Sequence, residues 1–460
     1  MRATMGVPGT LLSNLRQKLV EHCHGKSLLG GSMLVMATQI AGIGLAYAMQ
    51  VVIARAAGVF EFGLFAYAWT WMNLIFLVAA FGLNEAALRL IPTYAARGDW
   101  ESLRGLITRG PLLVLLAAAV AGLLAAGVLL LLGGFIGEHY RLPLLLTFAA
   151  APLIGLLAFL QGAGRALGGA LLAFLPRTIG LPLLVLVAVG VMVLLKTPPS
   201  ATTLVTVAIA AAGFLALLQW RLLVRRALPP DVDQVKAAVP LRSWLRLAVP
   251  CLFIAICYGL LTHCDLLMVG FFLSAEDVAI YQAASRTAAL ISFPLFAMNA
   301  LVAPLIARLH AEKKMVELQR TVTLATQIVF WPSLLGALLA IGAGPWILAI
   351  FGPGFTLGHQ ALAILILGHL VNVAVGPVSY LMTMTGNQIG CAIVWAATVV
   401  VQLAASLYLI PRWGLEGAAL GTAIATVVLG LALTLLVRHR LHISAHALVP
   451  VWRSVARARP

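Results

Sequence analysis

The chain has 460 residues, of which 62% are hydrophobic and only 10% charged, with 30 Lys+Arg against 14 Asp+Glu. Soluble domains carry roughly 25% charged residues, so an integral membrane protein is expected and a sizeable soluble domain is excluded. The basic excess reads as residues flanking membrane spans, so no nucleic-acid partner is expected.

Residues 1–28 are predicted to be a cytoplasmic segment. Leu11, Leu12, Leu15 and Leu19 recur at helical spacing around Arg16, Gln17 and Lys18, which predicts a short amphipathic helix on the inner leaflet. No apolar core with a cleavage site precedes the first span, which is expected to act as its own insertion signal. Twelve apolar stretches follow, at about 29–54, 64–90, 106–132, 142–162, 178–195, 202–223, 248–272, 279–305, 321–343, 361–385, 391–410 and 417–437. Helices of such length cross ~30 Å of hydrocarbon at ~1.5 Å per residue. Residues 345–359, with Gly352-Pro353-Gly354, read as a bent outer loop.

With the N-terminus inside, the outer side holds Arg55, Arg141, Lys196 and Arg412, and Arg286 lies within a span. Every other Lys and Arg, Arg177 included, falls on the inner side, which predicts that both termini are cytoplasmic.

The halves repeat. Ala54-Arg55…Glu61-Phe62-Gly63 matches Gly270-Phe271…Asp277-Val278-Ala279, Ile91-Pro92…Arg97 matches Ala303-Pro304…Arg308, and Leu222–Arg226 matches Leu435–His439, at offsets of about 212–216. The expected fold is therefore all-α and integral to the membrane, with 12 transmembrane helices. They form two six-helix lobes related by pseudo-two-fold symmetry along the membrane normal. The N-lobe is 29–224, the cytoplasmic linker 225–246, the C-lobe 247–437, and 438–460 a basic cytoplasmic tail.

The seventh and eighth spans are separated by a five-residue polar turn, and each carries one charge. Asp265 lies seven residues before the end of one run and Arg286 seven after the start of the next. They are expected at the same depth and paired, because a lone charge in a span costs a few kcal/mol. Arg286 is expected to line a cavity, with Asp265 holding its guanidinium when the cavity is empty. A purely structural ion pair is the competing reading. Arg89 near the inner end of span 2 is a second candidate cation, or an anchor that snorkels. Glu85 is placed to pair with it four residues on. His263 and Asn299 are candidate cavity residues. Arg55 and Glu61 flank the first outer turn as a candidate gate or a solvated pair, and Tyr281 is a candidate interface residue.

No metal site is expected: His22-Cys23-His24 fits no standard spacing, and the five cysteines show no disulfide framework. Gly25-Lys26-Ser27 resembles the end of a phosphate-binding loop, but Val20 stands where its first glycine belongs.

Several local motifs resemble one family. Gly58-Val59-Phe60-Glu61-Phe62-Gly63-Leu64-Phe65, Phe81-Gly82-Leu83-Asn84…Arg89-Leu90…Tyr94…Arg97-Gly98-Asp99, Asp265-Leu266-Leu267-Met268-Val269-Gly270, Tyr281…Arg286 and Gly414-Leu415-Glu416-Gly417-Ala418-Ala419 follow the order and spacing of polysaccharide (O-antigen) flippases of the Wzx type. These belong to a superfamily with multidrug exporters of the MATE type and lipid II flippases. Tyr281, Arg286 and Pro294-Leu295 also resemble the eighth helix of lipid II flippases, where the Arg contacts the substrate cavity. Those proteins usually have fourteen spans, against the twelve expected here.

The resemblance implies a carrier in the bacterial inner membrane, not an enzyme. It would translocate an undecaprenyl-pyrophosphate-linked oligosaccharide, an O-antigen or exopolysaccharide repeat unit, by alternating access. It implies no cofactor, coupling to a proton or cation gradient, contact with membrane lipid, and a polysaccharide polymerase as partner. An ion-coupled exporter of small molecules is the alternative. A glycan ligase or polymerase is a third reading, disfavoured because no outer loop clearly exceeds about twenty residues.

Overall fold

The computed structural model describes residues 26–131, 137–167, 169–227, 237–441 and 443. The predicted amphipathic helix, the His22-Cys23-His24 cluster and most of the linker and basic tail lie outside the described residues.

Every regular element among the described residues is helical. In chain order they are α1 (Lys26–Val78), α2 (Leu83–Arg97), α3 (Trp100–Leu131), α4 (Glu138–Ala149), α5 (Ala151–Ala166), α6 (Ala170–Leu175), α7 (Leu181–Leu194) and α8 (Ala201–Ala227). Then come α9 (Leu241–Phe272), α10 (Ala275–Ala289), α11 (Phe293–Ala311), α12 (Met315–Gly342), α13 (Gly344–Ala349), α14 (His359–Val375), α15 (Val378–Met384) and α16 (Gln388–Leu441). Large apolar side chains face outward along them, such as Leu123, Leu131 and Leu194. That outer surface suits lipid, not water.

Among the described residues eight helical stretches are long and apolar enough to cross a membrane, or ten if each bent pair is one crossing. Two of these fold back on themselves, which accommodates the twelve expected passages. In α1, Gly58 leaves helical geometry (φ 82°, ψ 173°). Tyr47 and Phe62, on either side of it, would be ~22 Å apart along a straight helix. Their rings instead both lie against Phe351, at 5.4 and 6.5 Å. In α16 the break is Gly414 (φ 54°, ψ −127°). Beyond it, Gly421 returns to Ser406, where an added Cβ would stand 3.3 Å from Oγ.

Other passages are broken rather than straight. α4 and α5 meet at 48°. α6 runs through a π-turn, Pro176–Gly180, into α7, and α10 through a 3₁₀ turn, Leu290–Ser292, into α11. The break between α1 and α2 recurs in the second half as the break between α10 and α11, as the sequence repeat requires. The expected outer loop is α13 followed by a 3₁₀ turn, Pro353–Gly358.

The elements from α1 to α8 pack mainly among themselves, as do those from α9 to α16. The two groups meet where α1 and α2 face α9 and α10. Glycines permit that approach: a Cβ on Gly63 would collide with the Ala275 carbonyl, and one on Gly82 with that of Ala248. The interface is not uniform. At the end bearing Gly58, α10 packs closely on α1. At the opposite, basic end, α11 has α12 and α15 as its main neighbours, while α2 holds α9 through Trp244 Nε1, which donates to Tyr94 Oη at 3.1 Å.

Candidate functional site

The expected pairing of Asp265 with Arg286 is not what the fold makes. Asp265 is buried and faces Tyr281, whose hydroxyl donates to Oδ2 at 2.9 Å. Its Oδ1 accepts the Leu266 amide at 2.8 Å, and the Thr422 hydroxyl stands 3.5 Å from Oδ2. No ion pair joins Asp265 to Arg286.

The physical reason is a shift of register. Ser274 and Asp277 form a reciprocal cap: the Asp277 amide donates to Ser274 Oγ and the Ser274 amide to Asp277 Oδ2, both at 3.2 Å. This cap starts α10 at Ala275, inside the stretch expected to be the turn. Tyr281 then stands six residues into α10, ~9 Å deep, level with Asp265 seven residues from the end of α9, ~10 Å deep. Arg286 is eleven residues in, ~16 Å deep. Tyr281 is thus no interface residue but a fully buried one.

Arg286 keeps a buried Nε without a hydrogen-bond partner. Its charge reaches His263 on α9, as does that of a second arginine, Arg177. Arg177 was expected on the inner side, but it lies in the π-turn inside the fifth passage. The next residue, Thr178, packs on Gly42 near the middle of the first passage. Two contacts fix the Arg177 guanidinium. Nη2 donates to Asn73 Oδ1 at 2.8 Å, and Cζ sits 3.7 Å from the centre of the Phe76 ring. Sequence reasoning missed this residue because the fifth stretch was begun at 178. Begun at 170, where α6 starts, it would have carried an internal arginine just as the eighth does.

The other candidates fall at the two ends. Arg89 is exposed toward the basic end, in the electrostatic reach of Cys251 on α9. The expected partner Glu85 instead meets Arg165 of α5 at 2.5 Å. This ties α2 to α5 within the first group. Asn299 lies on α11, past the bend at Leu290–Ser292, with Oδ1 buried and unpartnered. It is not brought to Arg286.

Arg55 and Glu61 do not pair with each other. Arg55 Nε donates to the Ile350 carbonyl at 2.6 Å, just past the last residue of α13, and Glu61 accepts the Ala201 amide at 2.6 Å. Arg55 therefore bridges the two groups of helices at the Gly58 end. It is joined there by Tyr47 with Thr287 at 3.1 Å, Gln282 donating to Gln50 at 3.1 Å, and the rings of Phe62, Phe351 and Phe355.

Arg177 of the first group of helices and Arg286 of the second both lie within electrostatic reach of His263 on α9. The one acid beside Arg286 is engaged by Tyr281 and Thr422. Among the described residues no His, Cys, Asp and Glu cluster could hold a metal ion. Two forked cations suit an anionic group such as a phosphate.

The fold is shared with known transporters. A multidrug resistance MATE family transporter of the MOP superfamily, in an inward-facing conformation, superposes with a TM-score of 0.73 at 16% identity, over 88% of this chain and 98% of that one. The lipid II flippase MurJ, in an inward closed conformation, gives 0.71 at 15%, over 88% and 87%. A MOP superfamily transporter from Pyrococcus furiosus gives 0.59 at 16%, over 96% and 99%. No curated protein of described function matches the chain in sequence. The MatE family model matches residues 250–407. A second model, described as polysaccharide biosynthesis protein, matches residues 28–310, which is more than half of the chain and includes Arg177, Asp265 and Arg286. This multi-pass membrane protein, helical in every regular element among its described residues, belongs to the polysaccharide biosynthesis protein family.

Proposed function

We propose that the protein flips an undecaprenyl-pyrophosphate-linked oligosaccharide, an O-antigen or exopolysaccharide repeat unit, from the inner to the outer leaflet of the bacterial inner membrane. One observation carries the reading: Arg177 and Arg286, one from each group of helices, both lie within electrostatic reach of His263, while Asp265 bonds to Tyr281, Leu266 and Thr422 and to neither arginine. We read the space between them as a chamber. A pyrophosphate is the chemical group that two forked cations hold best. The lipid tail stays in the bilayer while the polar glycan crosses in water.

The positive-inside rule makes the basic end cytoplasmic, with both termini there. The Gly58 end, closed by Arg55 and the phenylalanine cluster, then faces outward. Rocking of the lobes about the α2–α9 contact would open that seal. The protein works as a carrier without catalysis or cofactor, next to membrane lipid and a polysaccharide polymerase that consumes the flipped unit. Asp265, buried with Tyr281 and Thr422, is the group suited to couple the cycle to a proton or cation gradient. An exporter of small cationic molecules fits less well, since it would need free carboxylates where this chamber has arginines.

The test is surface polysaccharide in the native host. Arg177→Ala and Arg286→Ala should each abolish it while membrane-inserted protein stays near the normal amount. Normal polysaccharide from both well-expressed variants would end the reading.

A further inference from the structure

The boundary between the lobes near Arg177 carries a feature that phosphate binding does not use. Tyr258 stands midway along α9 and is 47% exposed. At such a depth an exposed side chain meets either lipid or the space between the lobes. Its neighbours decide which. Its ring lies 5.9 Å from that of Trp395 on α16, inclined at 42°. Tyr380 on α15 and Arg177, across the lobe boundary, both lie within electrostatic reach of its hydroxyl. The adjacent Gly259 packs against Leu74 and Leu77 of α1. A ring within reach of the opposite lobe's cation faces the boundary between lobes.

Three other phenols of the chain, Tyr47, Tyr94 and Tyr281, engage protein partners. Among the described residues, the phenol hydroxyls of Tyr258 and Tyr380 have no hydrogen-bond partner. Two tilted aromatic faces beside free phenol groups match the chemistry of a pyranose ring. One side of such a ring presents C–H groups, weakly positive at hydrogen, and these suit the negative face of an aromatic ring. Its rim presents hydroxyls, which suit phenols as donors or acceptors.

We propose that Tyr258 and Trp395 form a sugar subsite. The pyranose next to the pyrophosphate lies on these two rings while Arg177 and Arg286 hold the phosphates, and Tyr380 reaches its rim. The assignment rests on the reading of the chamber as a site for a pyrophosphate-linked glycan, and makes that site selective for loaded over empty carrier lipid. Selectivity of this kind prevents futile cycling, because bare undecaprenyl pyrophosphate has the same phosphates but no ring to stack.

The experiment uses the purified full-length protein in lipid nanodiscs. The probes are undecaprenyl pyrophosphate and the same lipid bearing one glucose, galactose or N-acetylglucosamine. Wild type should bind at least one sugar-bearing lipid roughly three- to tenfold more tightly than the bare one, as one aromatic contact provides. Trp395→Ala and Tyr258→Ala should each erase that gain, with affinity for the bare lipid changed less than twofold. Trp395→Phe should keep most of it. If an alanine variant loses its monodisperse elution, Trp395→Leu, which keeps bulk without an aromatic face, should erase the gain in its place. A gain that survives these substitutions overturns the subsite. So does a parallel loss for both lipids, which would mean that the rings only shape the chamber. Should wild type bind the bare lipid and gain nothing from any sugar, the subsite falls while the phosphate site stands. Should it bind neither kind of lipid, the flippase reading itself falls.

Discussion

A buried guanidinium nitrogen without a partner is costly inside a membrane protein, and Arg286 carries one. Structural ion pairs relieve such a cost, and the acid closest in the sequence pattern, Asp265, is bonded to Tyr281 instead. The two residues therefore separate in their expected effects. Tyr281→Phe leaves the carboxylate short of its best donor and should cost about 1–3 kcal/mol of stability, read as a lowered thermal midpoint of the purified protein. Arg286→Ala removes no bond that the fold uses, so its midpoint should hold while polysaccharide export is lost. Arg286→Lys should restore export only in part, because lysine keeps the charge but not the fork. A collapse of stability in Arg286→Ala, comparable to that of Tyr281→Phe, would return Arg286 to a structural role.

At the scale of the element, a four-residue difference in where α10 begins decides which side chains meet. The Ser274–Asp277 cap sets that start. Ser274→Ala should cost on the order of 1 kcal/mol, and should loosen the Tyr281–Asp265 contact at the same time. Gly63 makes a second test. Any side chain there runs into the Ala275 carbonyl, so Gly63→Ala should prise α1 from α10 at the Gly58 end. The expected readout is faster labelling, by a membrane-impermeant thiol reagent added outside, of a cysteine placed at Gln50. Unchanged labelling would show that this approach does not hold the seal.

For the whole molecule, the proposed carrier cycle requires the contact at the Gly58 end to open. Gln50 and Gln282 bond across the lobes at that seal. Gln50→Cys combined with Gln282→Cys, in a background without the native cysteines, should be joined by a short thiol cross-linker and stop export until the link is cleaved. Export that continues in the fully cross-linked protein would place the moving parts elsewhere. Orientation has its own test: a reporter active only outside the membrane, fused after Pro460, should stay silent.

The sequence alone sufficed for the class of the protein, its repeat and the approximate limits of most spans, because hydropathy is a sum over a stretch and survives errors of several residues at each end. It also marked Asp265 and Arg286, since a charge in an apolar run stands out whatever it touches. Their partners were another matter. The Asp265–Tyr281 contact depends on a helix cap that moved the register, and Arg177 falls inside its span only because that span begins eight residues earlier, at Ala170, and runs through a π-turn. Arg55 left Glu61 for a carbonyl nearly 300 residues away. The Tyr258–Trp395 pair joins helices that are distant in sequence. Contacts of this kind follow from how two lobes pack, and a pattern read along one chain carries no record of which faces will meet.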